Sequence, residues 1–327
     1  MTVKKYFGWL GRDAERRAYD KIRDYDIVMS EVDPNHKPTF IDFSQWVEEE
    51  QDITLPDIDW QFEFDEGFDF YEAVERGVGN QIPPGPQLVG NCVPYGSCLS
   101  LCDRYAVELL EFGENETFWY PFIPYSYGAG RVYVGGVHWA GDGSTGAWQI
   151  EADKKHGILP SDLEGIPNSG PTDMQSTRSV NDKWKRTDSI LNQWKPEAIE
   201  YAVGASTHIR NFEQTKIAIC DKKQSVTIAS SWGFAPAGNK DGMVIHRRSG
   251  SWSHQMHIRG CFAVNNNWYI HVQNQWGNSA HPTIGRKLPP GGFVITAELY
   301  DTWAGQAEVY SRGSIKGRIY KPNFQPW

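Results

Sequence analysis

Gln87-Leu88-Val89-Gly90-Asn91-Cys92-Val93-Pro94 is the stretch on which the fold turns. It closes a Pro/Gly-rich loop over residues 81–92. The segment from there to Gly113 carries Leu99, Cys102, Ala106 and Leu109 at helical spacing, with a glycine at the end. Pro94 fits the first turn of such a helix, where a missing N–H costs no hydrogen bond. Cys92 therefore falls at a helix N-terminus. A thiol attacks as the thiolate, and the positive end of a helix together with a nearby imidazolium lowers its pKa far enough for that at neutral pH. The imidazolium has to come from elsewhere in the chain. Ser253-His254-Gln255-Met256-His257-Ile258-Arg259-Gly260 enters a β pattern and supplies a histidine, and Asn274 opens the next turn, where a side-chain amide can orient the ring.

Three segments together resemble papain-like cysteine peptidases. Gln87 to Cys92 resembles that family's glutamine, glycine and nucleophilic cysteine at the start of its long helix. His254, followed six residues later by Gly260, resembles its histidine strand. Trp268-Tyr269-Ile270-His271-Val272-Gln273-Asn274-Gln275-Trp276-Gly277 resembles its asparagine segment, with Gln275 where serine is usual. His254 and Asn274 lie 162 and 182 residues beyond Cys92, near the roughly 130–150 typical of the family. Asp142-Gly143-Ser144, leading into 147–157 and Ile158-Leu159-Pro160, is similar to bacterial and phage members.

The resemblance implies an α+β, two-lobe fold, a helical lobe over about 81–200 and an antiparallel β lobe over about 201–327, with a cleft between them. Residues 1–80 would be an N-terminal extension that docks or inhibits. It also implies roles: Cys92 as nucleophile, His254 as its ion-pair partner and proton donor, Asn274 as the ring's orienter and Trp276 as its shield. Gln87 and the Cys92 N–H would form the oxyanion hole. Neither a cofactor nor a metal is called for, and the substrate would be a protein or peptide. The phage likeness adds a second reading, a weak or inert module in a virion that meets phage or host proteins through its N-terminal arm.

Two departures bear on the site. Gln87 precedes Cys92 by five positions where the family has six, so the oxyanion loop is one residue short. Gly96-Ser97-Cys98 offers a rival motif with Cys98 as nucleophile, but it requires a five-residue insertion after Gln87. Each residue also has a plain structural reading, since cysteines on helices are usually small buried hydrophobes. Cys92, Cys98, Cys102 and His254 do not have the spacing of a common zinc site. His257 reads as a core histidine, and His138, His246, Arg247 and Arg248 as surface or pocket rim.

The remainder of the chain sets the bounds. Its 327 residues can bury a substantial core, and aromatic residues make up 13%. The net charge of −9 argues against nonspecific nucleic-acid binding, which needs a basic surface. Five cysteines are an odd number and no disulfide framework. No run of apolar residues reaches membrane-spanning length, and Met1 to Arg17 lacks the apolar core of a secretory signal, so synthesis and folding in the cytoplasm are expected. Residues 10–29 read as a helix with Leu10, Ala14, Ala18, Ile22 and Tyr25 on one face. Glu48 to Glu75 holds twelve acidic residues, no Lys or Arg, and interleaved aromatics, as suits an arm laid on another surface. A helix is expected over about 145–156, a polar loop over 161–192 and a helix over 211–221. Short strands are expected at 225–231, 243–246, 257–264, 268–273, 292–297 and 307–310.

Overall fold

The computed structural model describes residues 8–49, 63–81, 85–112, 118–278, 280–281, 284–285, 288–313 and 315. Helix α1 (Arg12–Val32) forms where expected, with its buried stripe turned by about one residue from the expected one. Ala18 and Ile22 go inside, Leu10 and Tyr25 stay exposed, and Glu15 and Asp26 are buried in their place. The reason is hydrogen bonding. Glu15 accepts from the N–H groups of Gly146 and Ala147, both at 2.6 Å, two of the orphan donors that open helix α6. Asp26 accepts from the Thr39 N–H at 2.6 Å.

After α2 (Phe43–Glu49), the first part of the acidic-aromatic arm, 50–62, lies outside the described residues. Its second part becomes strand β1 (Glu66–Asp69) and helix α3 (Phe70–Val78), which Asp69 caps by accepting from the Tyr71 N–H at 3.0 Å. The helical part then runs α4 (Cys92–Phe112), α5 (Ile123–Gly128) continuing into a π-helical turn over Ala129–Val134, and α6 (Gly146–Lys155), capped by Thr145.

The polar stretch 161–192, expected to be loop, contains α7 (Arg178–Trp184) and the start of α8 (Asp188–Ile199). Their apolar anchors, Trp184 and Leu191, pack with Phe122, Tyr125 and Leu159. Two anchors are too few to write a helical period into the sequence, and Pro196 inside α8 reads as a breaker.

Short α9 (Phe212–Lys216), another π-helical turn over Ile217–Asp221 and α10 (Ala297–Ala304) flank the sheet. Its strands are β2 (Val226–Lys240), β3 (Met243–Val264), β4 (Asn267–Gln273), β5 (Gly292–Thr296) and β6 (Glu308–Ser311). They lie in the order β4-β5-β3-β2-β6, with β1 and β4 also paired to β3. Pairing is antiparallel except for a parallel contact of β3 with β5 at Ile245 and Val294. The strands expected at 243–246 and 257–264 are two ends of the 22-residue β3. Register shifts between Ser230 and Trp232, Trp232 and Phe234, and Pro236 and Gly238 bend the β2–β3 pair. Such bulges break the two-residue alternation by which a strand is recognised.

One face of the sheet is the main core, where Trp46, Phe70, Trp276, Phe293 and Trp303 meet. Each aromatic or large aliphatic side chain buried there contributes roughly 1.5–3 kcal/mol. The region before residue 81 shares this core through Trp46 and Phe70 and shares the sheet through β1. The helical part meets the sheet along α4 and β3. Gly96 permits the close approach, because a β-carbon there would come within 2.8 Å of the Gln275 Nε2 and 3.6 Å of the Gln255 carbonyl oxygen.

Candidate active site

Cys92 is the first residue of α4, and the helix opens with the Tyr95 N–H donating to the Asn91 carbonyl at 3.0 Å, so Pro94 leaves no donor wanting. The loop before it is fixed from several sides. The Gly90 N–H donates to Asp142 at 3.1 Å, the Tyr127 hydroxyl lies 3.0 Å from the Gly90 carbonyl oxygen, and the Asn91 amide donates to Asn181 at 3.0 Å. Lys185 donates to the same Asp142 carboxylate at 2.6 Å. Burial alone would raise the pKa of Asp142, but Lys185 and the Gly90 N–H hold it below the ordinary carboxylate value. Buried Arg131 organises the neighbouring wall, donating to the carbonyls of Trp139, Gly141 and Gly143. Gln87 is buried too, but its side-chain amide turns within its own loop and donates to the Val89 carbonyl at 2.6 Å, while its N–H donates to the Gln275 carbonyl at 2.9 Å.

Across from this loop stand His254 on β3 and Asn274 just after β4, with the His254 Nε2 at 3.0 Å from the Asn274 Oδ1. An amide oxygen carries no proton, so the ring Nε2 is the donor and Nδ1 is left as the basic nitrogen of the neutral ring. Trp276 stacks on His254 with centroids 4.5 Å apart at 26°. The amide of Asn274 is held in turn by His281, whose Nε2 accepts from its Nδ2 at 2.9 Å. His254, Asn274 and Trp276 are all buried.

The sheet comes to the thiol at Ala229 of β2, which packs with Cys92, Val93 and Trp9. The backbone N–H groups of Gln255, next to His254, and of Gly8, Val93 and Cys92 itself favour the thiolate of Cys92. Burial outweighs these donors and pushes its pKa up to about 12, so in this arrangement Cys92 is a thiol. The N-terminal segment covers it. The Ser144 N–H donates to the Gly8 carbonyl at 2.7 Å and the Leu10 N–H to the Ser144 carbonyl at 3.0 Å, forming a parallel β-bridge centred on Trp9. The Trp9 indole donates to Glu15 at 3.0 Å, and Gly8 lies so close to Gly90 that a β-carbon would overlap its carbonyl.

The other cysteines lie elsewhere. Cys98 packs with Val74, Leu99 and Cys102 and donates to the Ser126 hydroxyl at 3.6 Å, and burial also pushes its thiol up to about 12. His257 is a core histidine as expected, 3.0 Å from Asp103. His246, expected at the surface or pocket rim, is buried against His281 and Phe293, and burial pulls its pKa down to about 4. The turn after Asn274 folds back and carries it inside. Among the described residues no group of three or more His, Cys, Asp or Glu is placed to hold a metal ion, and no helix is long and apolar enough to cross a membrane.

Sequence reading missed His281, Gln255 and Tyr127, and it marked Asp142 within a segment without giving it a role. His281 lies in an irregular turn, and the others act through partners many residues distant, so no spacing marks them.

A helix presenting its first residue to a coiled sheet that carries histidine and asparagine is the fold of papain-like cysteine proteases. No protein-family model matches the sequence, and no match was found among curated proteins. Solved structures do match. Xylellain, a cysteine protease from Xylella fastidiosa, aligns with a TM-score of 0.54 at 13% identity over 97% of this chain and 100% of its own. Procathepsin B S9 from Trypanosoma congolense gives a TM-score of 0.48 at 14% identity over 90% and 98%. Digestive procathepsin L 3 of the Tenebrio molitor larval midgut gives 0.45 at 12% over 94% and 94%.

Proposed function

We propose that the chain is a papain-like cysteine peptidase that hydrolyses peptide bonds in proteins or peptides through Cys92, His254 and Asn274. In the open enzyme the Cys92 thiol passes its proton to the Nδ1 of His254. The thiolate attacks the substrate carbonyl carbon, and the oxyanion takes the Cys92 N–H. Gln87 is the second donor, its amide having one N–H to spare beyond its bond to Val89. Imidazolium protonates the leaving amine, an acyl-enzyme forms, and water activated by the neutral ring releases the acid. Asn274 keeps the ring in the tautomer this requires, and Trp276 keeps water from their hydrogen bond.

The observation that carries the reading is the His254–Asn274 pair beneath Trp276, one residue along β3 from Gln255, whose side chain bonds the Val93 carbonyl next to Cys92. Residues 1–80 are on this reading an inhibitory extension, because Gly8 to Leu10 cover the thiol. The second reading, an inert papain-like module of a phage particle, needs no exposed thiol and is separated from the first by one experiment. An epoxide thiol inhibitor is applied to the full chain and to the Gly8→Val variant, followed by peptide mapping. Stoichiometric labelling of Cys92 that disappears with His254→Ala supports the peptidase. Folded protein that stays unlabelled in both chains, or that labels at Cys98 instead, defeats it.

A further inference from the structure

Gln255 follows the proposed catalytic histidine and is itself buried. Its side-chain Nε2 donates to the Val93 carbonyl at 2.9 Å and to the Ser97 hydroxyl at 3.2 Å, both in the first turn and a half of α4. Its backbone N–H favours the thiolate of Cys92. The contact thus links the residue after the thiol to the residue after the imidazole, between two elements 162 residues apart in sequence at Cys92 and His254. A carbonyl in the opening turn of a helix has a second lone pair beyond the one its helix uses, so Val93 accepts from Gln255 without loss to α4. Gly96, on the same turn, leaves room for the Gln275 side chain, whose Nε2 a β-carbon there would approach to 2.8 Å.

Resting on the peptidase reading, we infer that Gln255 is a positioning residue: it clamps β3 to the start of α4 and so sets the separation of the Cys92 sulfur and the His254 ring. Reach between an acid and a base decides whether the proton moves, and a displacement of about 1 Å costs on the order of a hundredfold in rate. A mere packing contact would stabilise the fold without tuning the ionisation of the thiol.

The test uses the full chain carrying Gly8→Val, with iodoacetamide as probe and mapping of the Cys92 peptide to read its alkylation rate from pH 4 to 10. Gln255→Met keeps the length of the side chain and removes its donors. It is expected to shift the rise in rate toward that of a simple thiol and to lower the rate at pH 6 by tenfold or more. Ser97→Ala removes one of the two acceptors and shifts the profile less in the same direction, and the double variant goes no further than Gln255→Met alone. Ser97→Ala also serves should Gln255→Met fail to fold. A profile that depends on His254 but superimposes for parent, Gln255→Met and Ser97→Ala overturns the clamp and leaves the peptidase standing. A parent profile indifferent to His254→Ala overturns both.

Discussion

The hydrogen bonds of Asn274 decide the chemistry available to His254. Its oxygen faces the His254 Nε2 and its nitrogen faces His281, so each ring meets the end of the amide that fixes its proton. Asn274→Ala frees the ring to rotate and to adopt the other tautomer. On the proposed peptidase reading, kcat/KM is expected to fall about 10–100-fold, less than the roughly 10²–10⁴-fold that general acid–base catalysis supplies; a variant as active as the parent would deny Asn274 its proposed role. Asp103 makes a different case. It is buried between His257 at 3.0 Å and Arg259 at 3.3 Å. Burial, outweighing the pull of Asp103, keeps the pKa of His257 below the ordinary value, so at neutral pH Arg259 is the charged partner. Asp103→Asn strands that cation and should lower the unfolding free energy by about 3–5 kcal/mol in urea titrations. Residues were legible to the extent that they sit in runs. Cys92, His254, Asn274 and Trp276 each stand in a local motif, whereas Gln255, Asp142 and His281 owe their places to partners brought together only by the fold.

At the scale of elements, the helix at Cys92 and the strands around Asn274 could be read because apolar spacing, a first-turn proline and terminal glycine mark them. The long β3 was legible only at its ends, since the bulges opposite it interrupt alternation. Helix α1 was legible as a helix, but its link to the segment over the thiol was not: its buried Glu15 answers the N–H groups of α6 and the indole of Trp9, contacts that hydrophobic periodicity cannot report. The proposed inhibitory role of that segment makes a sharp prediction at Gly8. A valine there must displace the segment from Gly90, since its β-carbon would overlap the carbonyl and backbone yields less readily than a side-chain tip. Gly8→Val should therefore raise the rate of Cys92 labelling by an epoxide at least tenfold while leaving the urea midpoint of the sheet in place. Equal rates would mean that residues 8–10 do not limit access to the thiol.

Over the whole molecule, closure of the N-terminal segment couples to pH through two acids that face each other across α1 and β6. Glu15 is buried among the Gly146 and Ala147 N–H groups, the Trp9 indole and the Tyr310 hydroxyl, and burial raises its pKa against all four donors. Glu308 is raised from 4.5 to about 7, first by burial and then by Glu15, with Arg12 and Arg16 on α1 opposing. His208, 3.6 Å from Glu308, is lowered to about 4 by burial, then by Arg210 and Arg12, so it stays neutral near pH 7 and does not answer the carboxylate. The sign is set by proton affinity. The closed chain holds these protons more tightly than the open one, so the Glu308 contribution to closure is complete below pH 4.5 and is lost as pH rises through about 7, and that of Glu15 has the same sign. Only the burial that α1 itself supplies is released on opening, which limits the effect to about 1–2 kcal/mol, or roughly five- to thirtyfold in the closed-to-open ratio. Hydrogen exchange at residues 8–15, corrected for its intrinsic pH dependence and compared with β3, should lose protection between pH 5 and 8. Glu308→Gln, which cannot ionise, should flatten that loss. Protection that grows with pH would reverse the sign and assign control of the N-terminal segment to Arg12 and Arg16 drawn toward an ionised Glu308.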